Sequence, residues 1–493
     1  MINFKLINNR YIIFFILIIA FYLRLYRLGY HDLWYDEVGT VNYAEYPWGN
    51  WNAPLYWILL HYWIKIFGIS EFSLRFPSLI FNFLSVILVF FLGKRLFNEK
   101  VGIVASFFIA LSSLHLWYAQ EARDYSMMLF FGTLSSYLLF RALEEGSLKL
   151  WLFFIFVSMI GFYTNYFYFF LFFAQGIYLI FSKKLKFNYK EIIYFLIIIF
   201  SFIPYLPRFL NKFNFVRHGF WVPKPTWHSF FITLENFVLG YNGFFSLYLI
   251  SDVLVCIFLI FAFWSMHRNN LKQNFLFCIS LFFIPIFCIF LFSKVFFPIY
   301  LDRALIVFSP YFYLILSLGL TSINKKWLSS ISIVIFFSLF CFGAYAYHND
   351  LIFYPYSHHE GAFLKKPFKP IVRFIESNIK EGDIIAVTNI NPPIIPSLSF
   401  YSQKIKNFYF FFDPKFNDPN WQRPLSRSLF NIPIYEIDKL NFIRLWLIST
   451  DGGARMGGLD ENSQSVKDWC GKNLKLELAR EFDGVWIFIY SRG

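Results

Sequence analysis

The chain has 493 residues, of which 58% are hydrophobic and only 15% are charged. A soluble domain of average composition carries roughly 25% charged residues, so we expect lipid to surround much of this chain. The net charge of +14 could indicate a nucleic-acid partner. However, the lysines and arginines are spread over short segments between apolar runs, a pattern that favours a role in membrane orientation and argues against nucleic acid.

Apolar runs of about the length needed to cross a bilayer predict roughly eleven transmembrane helices, since only a helix satisfies its own backbone groups in lipid. The predicted spans are 11–27, 76–94, 101–118, 126–143, 150–164, 166–182, 191–207, 243–265, 275–293, 303–320 and 327–347. The first run has no small-residue cleavage site after it, so we interpret it as a retained helix. The amphipathic segment 54–67 is predicted to lie along the membrane surface. The fold class expected is mainly α, a polytopic helical bundle over residues 1–347.

The basic turns predict the orientation of this bundle. Placing the N-terminus in the cytoplasm puts the pairs Lys94-Arg95, Lys183-Lys184 and Lys325-Lys326 on that side, in agreement with the positive-inside bias. We therefore predict a multi-pass protein of the plasma (inner) membrane. An odd number of spans places the first loop, 28–53, and the C-terminal region, 348–493, on the extracytoplasmic side.

The C-terminal region has the composition of a soluble domain, with prolines, turns and mixed charge. A helix is predicted over 370–380 and a partly helical segment over 466–480. The predicted strands are 384–388, 408–412, 432–437, 442–449 and 485–490. The alternation predicts a small extracytoplasmic α/β domain.

Motifs for nucleotide or metal binding are not found in the sequence. There is no Walker-type or dinucleotide glycine motif and no HExxH motif, which argues against nucleotide-driven transport. The five cysteines form neither a zinc spacing nor a disulfide framework. His358-His359-Glu360 has metal-ligand composition, but consecutive residues rarely share one face. We expect no cofactor, and a divalent metal is not indicated.

The first external loop carries acidic residues among aromatic ones. Asp32, Asp36 and Glu37 lie beside Trp34 and Tyr35. Carboxylates crowded near a low-dielectric region hold protons more readily, which suits one of them to take a proton from a hydroxyl or an amine. The alternative is that these acids only solvate the loop.

Several motifs, in order along the chain, resemble those of the GT-C membrane glycosyltransferases, in particular the glycosyltransferase family 39-like group of protein O-mannosyltransferases and the lipid A aminoarabinose transferase. They are Trp34-Tyr35-Asp36-Glu37, Asn52-Ala53-Pro54-Leu55-Tyr56, the stretch from Ser70 to Ser78, the stretch from Trp117 to Ser126, and Tyr300-Leu301-Asp302-Arg303-Ala304-Leu305 followed by Pro310. In this chain Asn52 and Ala53 replace the first two residues of the family's His-Pro-Pro-Leu-Tyr stretch, and Ala304 replaces a Tyr.

The resemblance implies an inverting glycosyltransferase that moves a sugar from a polyprenyl-phosphate donor to an extracytoplasmic acceptor, which could be a lipid, a glycan or a protein. Asp36 would be the general base. Glu37 would steer the acceptor or raise the basicity of its neighbour, and the reverse assignment, with Glu37 as the base, stays open. The membrane lipid around the bundle would hold the donor's tail.

The departing lipid phosphate develops charge and requires fixed cations nearby. Arg123 and Arg303 are the candidates, because each is predicted at the external end of a helix and a guanidinium fits two phosphate oxygens. The alternative is that they anchor the helices at the membrane interface. Lys224, Arg217 and Lys294 are weaker candidates. Further candidates for substrate contacts are Gln120, Glu121, Tyr125, Asn52, Tyr56 and Tyr300.

Two other functions remain open from the sequence. A polysaccharide polymerase or ligase would use outer-loop arginines to bind a lipid pyrophosphate without an acidic base. A transporter or flippase of lipid-linked sugars would have charged or broken helices near the bilayer centre, whereas most charges in this chain fall at the ends of predicted spans.

Overall fold

The structure is a computed structural model, and it describes residues 9–49, 51–182, 189–219, 222–351, 365–388, 394–402, 404–405, 408–416, 429–450 and 459–492. It divides into two compact units. The first, which we call the membrane unit, comprises Met1–Leu28 and Tyr43–Gly361. The second, the α/β unit, comprises Gly29–Asn42 and Ala362–Gly493. Most of the acidic loop therefore belongs to the unit formed by the C-terminal region.

The membrane unit is built of helices. They are α1 (Asn9–Leu25), α2 (Tyr35–Glu45, whose first eight residues belong to the α/β unit), α3 (Leu55–Phe67), α4 (Glu71–Leu96), α5 (Glu99–Leu111), α6 (Ser113–Ala119), α7 (Tyr125–Glu145), α8 (Leu148–Phe162), α9 (Tyr168–Phe181), α10 (Tyr189–Ser201), α11 (Leu206–Arg217), α12 (His228–Leu239), α13 (Phe245–Arg268), α14 (Lys272–Val295), α15 (Asp302–Leu305), α16 (Ser309–Thr321) and α17 (Lys326–His348). Each predicted span coincides with one or more of these helices, so the predicted fold class is confirmed.

Among the described residues, seven helical segments are long and apolar enough to cross a membrane, and an eighth is obtained if α5 and α6 are counted together. The helices α3, α8 and α9 are apolar but shorter. The chain is therefore a membrane protein, as its composition predicts.

The span predicted over 101–118 is helical but bent. The axes of α5 and α6 differ by 60°, and the break falls at Ser112, whose extended ψ of 120° interrupts the helix. The helices α2, α11 and α12 were also missed. In α12, the buried polar residues Thr233, Glu235 and Asn236 interrupt the apolar pattern that marks a span.

Small residues allow close packing inside the membrane unit. Every residue of α16 from Ser309 to Leu320 is buried, and a Cβ added at Gly319 would lie 2.1 Å from the carbonyl oxygen of Phe258 in α13. A Cβ added at Gly102 in α5 would lie 2.6 Å from the carbonyl oxygen of Phe90 in α4. Glycine at these positions lets the backbones of neighbouring helices approach each other, as is common between membrane helices.

One arginine of the membrane unit is buried among backbone groups. Arg24 is fully buried, and it donates to Asn82 Oδ1 at 2.9 Å and to the carbonyl oxygens of Ile109 and Ala110 at 3.0 Å each. These acceptors tie the C-terminal end of α1 to α4 and α5. Arg24 therefore holds these helices together, and its hydrogen bonds offset the energetic cost of burying the guanidinium group.

The α/β unit contains one six-stranded sheet with the strand order β3-β2-β1-β4-β6-β5. Its elements are α18 (Phe368–Asn378), β1 (Ile384–Val387), α19 (Ile395–Tyr401), β2 (Phe408–Phe412), β3 (Leu429–Pro433), β4 (Arg444–Thr450), α20 (Glu461–Asn473), β5 (Lys475–Phe482) and β6 (Val485–Ser491). The strands β3, β2, β1 and β4 pair in parallel with one another. The strand β6 pairs antiparallel with β4 on one side and with β5 on the other.

Alternation along β4 builds a core on each face of this sheet. Trp446 and Ile448 pack with residues of α18 and α19, while Leu445 and Leu447 pack on the other face with residues of α20. Both faces are therefore covered by helices, as is usual for a mainly parallel sheet.

Within the α/β unit, one strand was missed and one is displaced. The segment 466–480, predicted to be partly helical, is helical up to Asn473 at the end of α20, and the missed strand β5 starts at Lys475. The edge strand β5 is mostly exposed and carries alternating charges, so its sequence lacks a continuous apolar signal. The strand predicted over 432–437 lies earlier, at Leu429–Pro433, because Pro433 ends the ladder and a 3₁₀ helix follows.

Candidate functional site

Two arginines of the membrane unit converge on one aromatic ring. The guanidinium Cζ of Arg123 and that of Arg303 each lie 5.7 Å from the centroid of the Tyr125 ring. Arg123 also lies 5.6 Å from the ring of Trp57 in α3. Tyr125 and Trp57 are buried, as is Arg303, whereas Arg123 is partly exposed. Cation–π contacts of this kind hold guanidinium groups in place while their N–H donors point elsewhere.

The turn before α7 carries Arg123. This turn joins α6 to α7, and it places Arg123 two residues before Tyr125, the first residue of α7. The N-terminal end of a helix carries a partial positive charge and favours anions. The helix end and the two guanidinium groups therefore all contribute positive charge to this part of the membrane unit.

The backbone of Arg123 is fixed by a hydrogen-bond chain from two other helices. Ser78 Oγ in α4 donates to the carbonyl oxygen of Arg123 at 3.0 Å, and the hydroxyl of Tyr56 in α3 lies 2.9 Å from Ser78 Oγ. Sequence reasoning gave Ser78 no role of its own, although it ends a motif that carries the family resemblance. Tyr56 was predicted as a substrate contact, and in the structure its hydroxyl takes part in this chain.

Arg303 is positioned by α12. Its neighbour Asp302 accepts hydrogen bonds from Thr233 Oγ1 at 2.9 Å and from Asn236 Nδ2 at 2.7 Å. The hydroxyl of Tyr300 lies 2.8 Å from the same Thr233 Oγ1. The buried polar residues of α12, which hid this helix from the sequence, therefore hold the segment that carries Arg303. The hydroxyl of Tyr300, another predicted substrate contact, lies in this network.

A buried acid lies next to Arg123. Burial raises the pKa of Asp124 above its usual value, and the charges of Arg123 and Arg303 and a hydrogen bond from Asn165 act in the opposite direction. Asn165 Nδ2 donates to Asp124 Oδ2 at 2.9 Å. Asp124 was not among the predicted site residues, although it follows Arg123 directly.

The other predicted contacts occupy different settings. Gln120 Nε2 donates to the carbonyl oxygens of Arg24 at 2.9 Å and Tyr26 at 2.7 Å, so this amide binds the end of α1. Glu121 is buried, and its carbonyl oxygen accepts the N–H of Arg123 at 2.8 Å. The carbonyl oxygen of Asn52 accepts the hydroxyl of Tyr205, and Lys224 is exposed.

The candidate acids belong to the α/β unit and lie in the first turn of α2. A helix N-terminus stabilises carboxylates in this turn. Asp36 is partly exposed, whereas Glu37 is fully buried. Glu37 Oε2 lies 3.6 Å from Lys365 Nζ, and the Lys365 side chain is only 9% exposed. Sequence reasoning missed Lys365, because a single lysine far along the chain carries no motif.

Two further contacts within the α/β unit hold the same acidic segment. Asp32 Oδ2 accepts the backbone N–H of Lys369, at the first turn of α18, at 2.7 Å. Lys369 Nζ lies 3.7 Å from Asp32 Oδ1. The backbone N–H of Leu33 donates to the hydroxyl of Tyr401 at 2.7 Å. The residues before α2 are thus anchored on α18 and α19.

The described part of the chain contains no group of three or more His, Cys, Asp or Glu residues able to hold a metal ion. His358-His359-Glu360 lies outside the described residues.

Comparison with known proteins agrees with the resemblance seen in the sequence. Residues 52–209 match the family model of the dolichyl-phosphate-mannose-protein mannosyltransferases. A curated relative, dolichyl-phosphooligosaccharide-protein glycotransferase 2 of Pyrococcus horikoshii, is 30% identical over 138 residues, which represent 22% of this chain. This chain spans only 18% of the length of that relative.

Solved structures with the same fold cover nearly the whole chain. The structure of ArnT from Cupriavidus metallidurans in the apo state matches with a TM-score of 0.60 at 10% identity over 97% of each chain. The structure of the same protein bound to undecaprenyl phosphate matches with a TM-score of 0.59 at 10% identity over 97% of each chain. At this identity the match establishes the fold alone. Residues 52–209 are therefore similar to the mannosyltransferase family, and the chain as a whole shares its fold with ArnT.

Proposed function

We propose that this protein is an inverting glycosyltransferase, which moves a sugar from a polyprenyl-phosphate donor to an acceptor on the extracytoplasmic side of the plasma membrane. The observation that carries this proposal is the convergence of Arg123 and Arg303 on Tyr125. Arg123 and Tyr125 also lie within the part of the chain that matches the mannosyltransferase family.

In the proposed reaction, a hydroxyl or amine of the acceptor attacks C1 of the sugar. The bond between C1 and the phosphate oxygen breaks, the new bond forms on the opposite face, and polyprenyl phosphate leaves. The acceptor's proton passes to a carboxylate of the enzyme, for which we propose Asp36. A single displacement of this kind inverts the configuration at C1 and needs no covalent intermediate.

Arg123 and Arg303 act on the leaving group in this proposal. Negative charge grows on the phosphate as the C1–O bond breaks, and fixed guanidinium groups stabilise that charge more in the transition state than in the ground state. Two arginines held by one ring require little reorganisation during the reaction. One structure of ArnT from Cupriavidus metallidurans is bound to undecaprenyl phosphate, which supports a lipid phosphate as the ligand of such a fold.

Incubation of the full-length protein in lipid nanodiscs with polyprenyl-phosphate sugars and a membrane extract as the acceptor source tests this function. Mass spectrometry should detect release of free polyprenyl phosphate together with a glycosylated product. NMR of the product should show an anomeric configuration opposite to that of the donor. Consumption of a lipid-pyrophosphate sugar in preference to the monophosphate donor, or retention of configuration, would contradict the proposal.

A further inference from the structure

Glu37 and Lys365 form an ion pair inside the α/β unit. The side chain of Glu37 is fully buried, and its Oε2 lies 3.6 Å from Lys365 Nζ. A carboxylate removed from water is strongly disfavoured unless a cation or hydrogen-bond donors compensate it. Lys365 supplies an opposite charge next to this carboxyl group, which offsets the cost of its burial and restrains its side chain.

Asp36 lies next to Glu37 in α2 but has a different environment. Successive residues of a helix point roughly 100° apart, so the two carboxylates face different directions. Asp36 is partly exposed, whereas no part of the Glu37 side chain reaches solvent. A general base has to come within hydrogen-bond distance of the acceptor. Of the two acids, the accessible one is therefore Asp36.

We propose that Lys365 is a positioning residue of the enzyme, which holds Glu37 as a buried carboxylate in an ion pair and thereby leaves Asp36 to receive the acceptor's proton. This inference rests on the proposed function. It assigns Glu37 to the support of α2 and assigns the proton transfer to Asp36.

Other residues of the α/β unit also hold the segment Gly29–Asn42, which carries Asp36 and Glu37. Asp32 is bound by Lys369 through its backbone N–H and its ammonium group, and Leu33 is bound by Tyr401. Together with Lys365, these contacts hold Gly29–Asn42. The C-terminal region thus contributes to the reaction by fixing the segment that carries the candidate base.

Steady-state kinetics of the full-length protein test the inference. Lys365→Met should lower kcat by about 10-fold or more, because a small displacement of a reacting group slows a reaction strongly, while the KM for the donor stays within about 3-fold. Lys365→Arg, which keeps the charge, should recover most of the kcat. Lys472→Met, at an exposed position of α20, is the matched control and should behave as the wild type.

A double variant separates action through Glu37 from a general structural effect. If Lys365 acts through Glu37, then Glu37→Gln combined with Lys365→Met should have the same kcat as Glu37→Gln alone, within about 2-fold. This double variant removes both charges of the ion pair together, so it remains informative if Lys365→Met alone does not fold.

Two results would overturn the role of Lys365: a kcat for Lys365→Met within about 2-fold of the wild type, or losses that multiply in the double variant. The proposed function is tested by a different variant. If Asp36→Asn keeps full turnover, the assignment of Asp36 as the base is refuted, whatever the kinetics of the Lys365 variants. If Asp36→Asn is inactive but Lys365→Met is fully active, only the inference about Lys365 is refuted.

Discussion

Arg123 and Arg303, which lie far apart in the sequence, place their guanidinium groups at the same distance, 5.7 Å, from the ring of Tyr125. One arginine is carried by the turn before α7 and the other by α15. Separate hydrogen-bond networks hold the two segments, one through Ser78 and one through Asp302. The segments that carry the two cations are therefore held in place by the protein itself, as the proposed stabilisation of a leaving group requires.

Removal of either arginine should weaken donor use. A hydrogen bond to a charged group contributes about 1.5–3 kcal/mol, so Arg123→Ala and Arg303→Ala should each reduce kcat/KM for the donor by about 10-fold to 100-fold. Binding of free undecaprenyl phosphate, measured by native mass spectrometry in nanodiscs, should weaken in parallel. Lys100→Ala, at an exposed position, is the control. Unchanged lipid-phosphate binding in both arginine variants would contradict the assignment.

Ser78→Ala should loosen the turn that carries Arg123. The substitution removes a donor to the Arg123 carbonyl oxygen and the partner of the Tyr56 hydroxyl, both of which lie in a buried region. Such a loss costs about 1–3 kcal/mol. We expect a lower melting temperature in detergent and a raised KM for the donor. Ser338→Ala, at an exposed position, should change neither quantity, and equal behaviour of the two variants would argue against the role of Ser78.

Gly319→Ala should disrupt packing between α16 and α13. The added Cβ would lie 2.1 Å from the carbonyl oxygen of Phe258, and relief of such an overlap through backbone shifts costs about 1–3 kcal/mol. Thermal unfolding in detergent should therefore occur at a lower temperature. Gly471→Ala in α20 meets nothing within 4 Å, and it should leave the protein equally stable or stabilise it slightly, since alanine is the better helix former.

The stability of the α/β unit should fall in acid through Asp383. Burial acts to raise the pKa of Asp383, but hydrogen bonds from Arg444, the Lys380 N–H and Trp446 outweigh it and hold the pKa below its usual value. Because the pKa is lower in the folded state, this stability is present above about pH 4 and is lost as the pH falls through the folded value. Hydrogen exchange in β1 and β4 should accelerate over that range.

A substitution tests the same ion pair near neutral pH. The side chain of Asp383 is fully buried, and its Oδ2 lies 2.6 Å from an Arg444 nitrogen. Asp383→Asn removes the carboxylate that pairs with Arg444 and should destabilise the α/β unit by about 1–3 kcal/mol. The exposed Asp468→Asn should have no such effect. Equal hydrogen exchange in both variants would show that the ion pair contributes little.

Much of the bundle could be predicted, because long apolar runs leave few alternatives to a helix. The elements that were missed contain mixed residues. The first turns of α2 hold acids, glycine and threonine, and α12 buries Thr233 and Asn236. Polar residues buried by tertiary contacts look like a loop in the sequence, because their partners are distant. The bend at Ser112 was hidden for a related reason, since the apolar run continues through it.

The candidate site was predicted in part. Motifs that resemble those of the GT-C family pointed to Arg123 and Arg303, but only the fold brings them to Tyr125. Ser78 and Lys365 contact residues far away in the sequence, and no neighbouring residue in the sequence indicates these contacts. Such supporting residues require a structure to be found, whereas charged residues within family motifs do not.

The kinetics of Asp36→Asn in the purified full-length protein test the central claim most directly. With a polyprenyl-phosphate sugar and an acceptor fixed by the assay, this variant should bind the donor as the wild type does but release sugar at least about 100-fold more slowly, since general base catalysis contributes about 10²–10⁴-fold. Turnover by Asp36→Asn within a few-fold of the wild type would contradict the account.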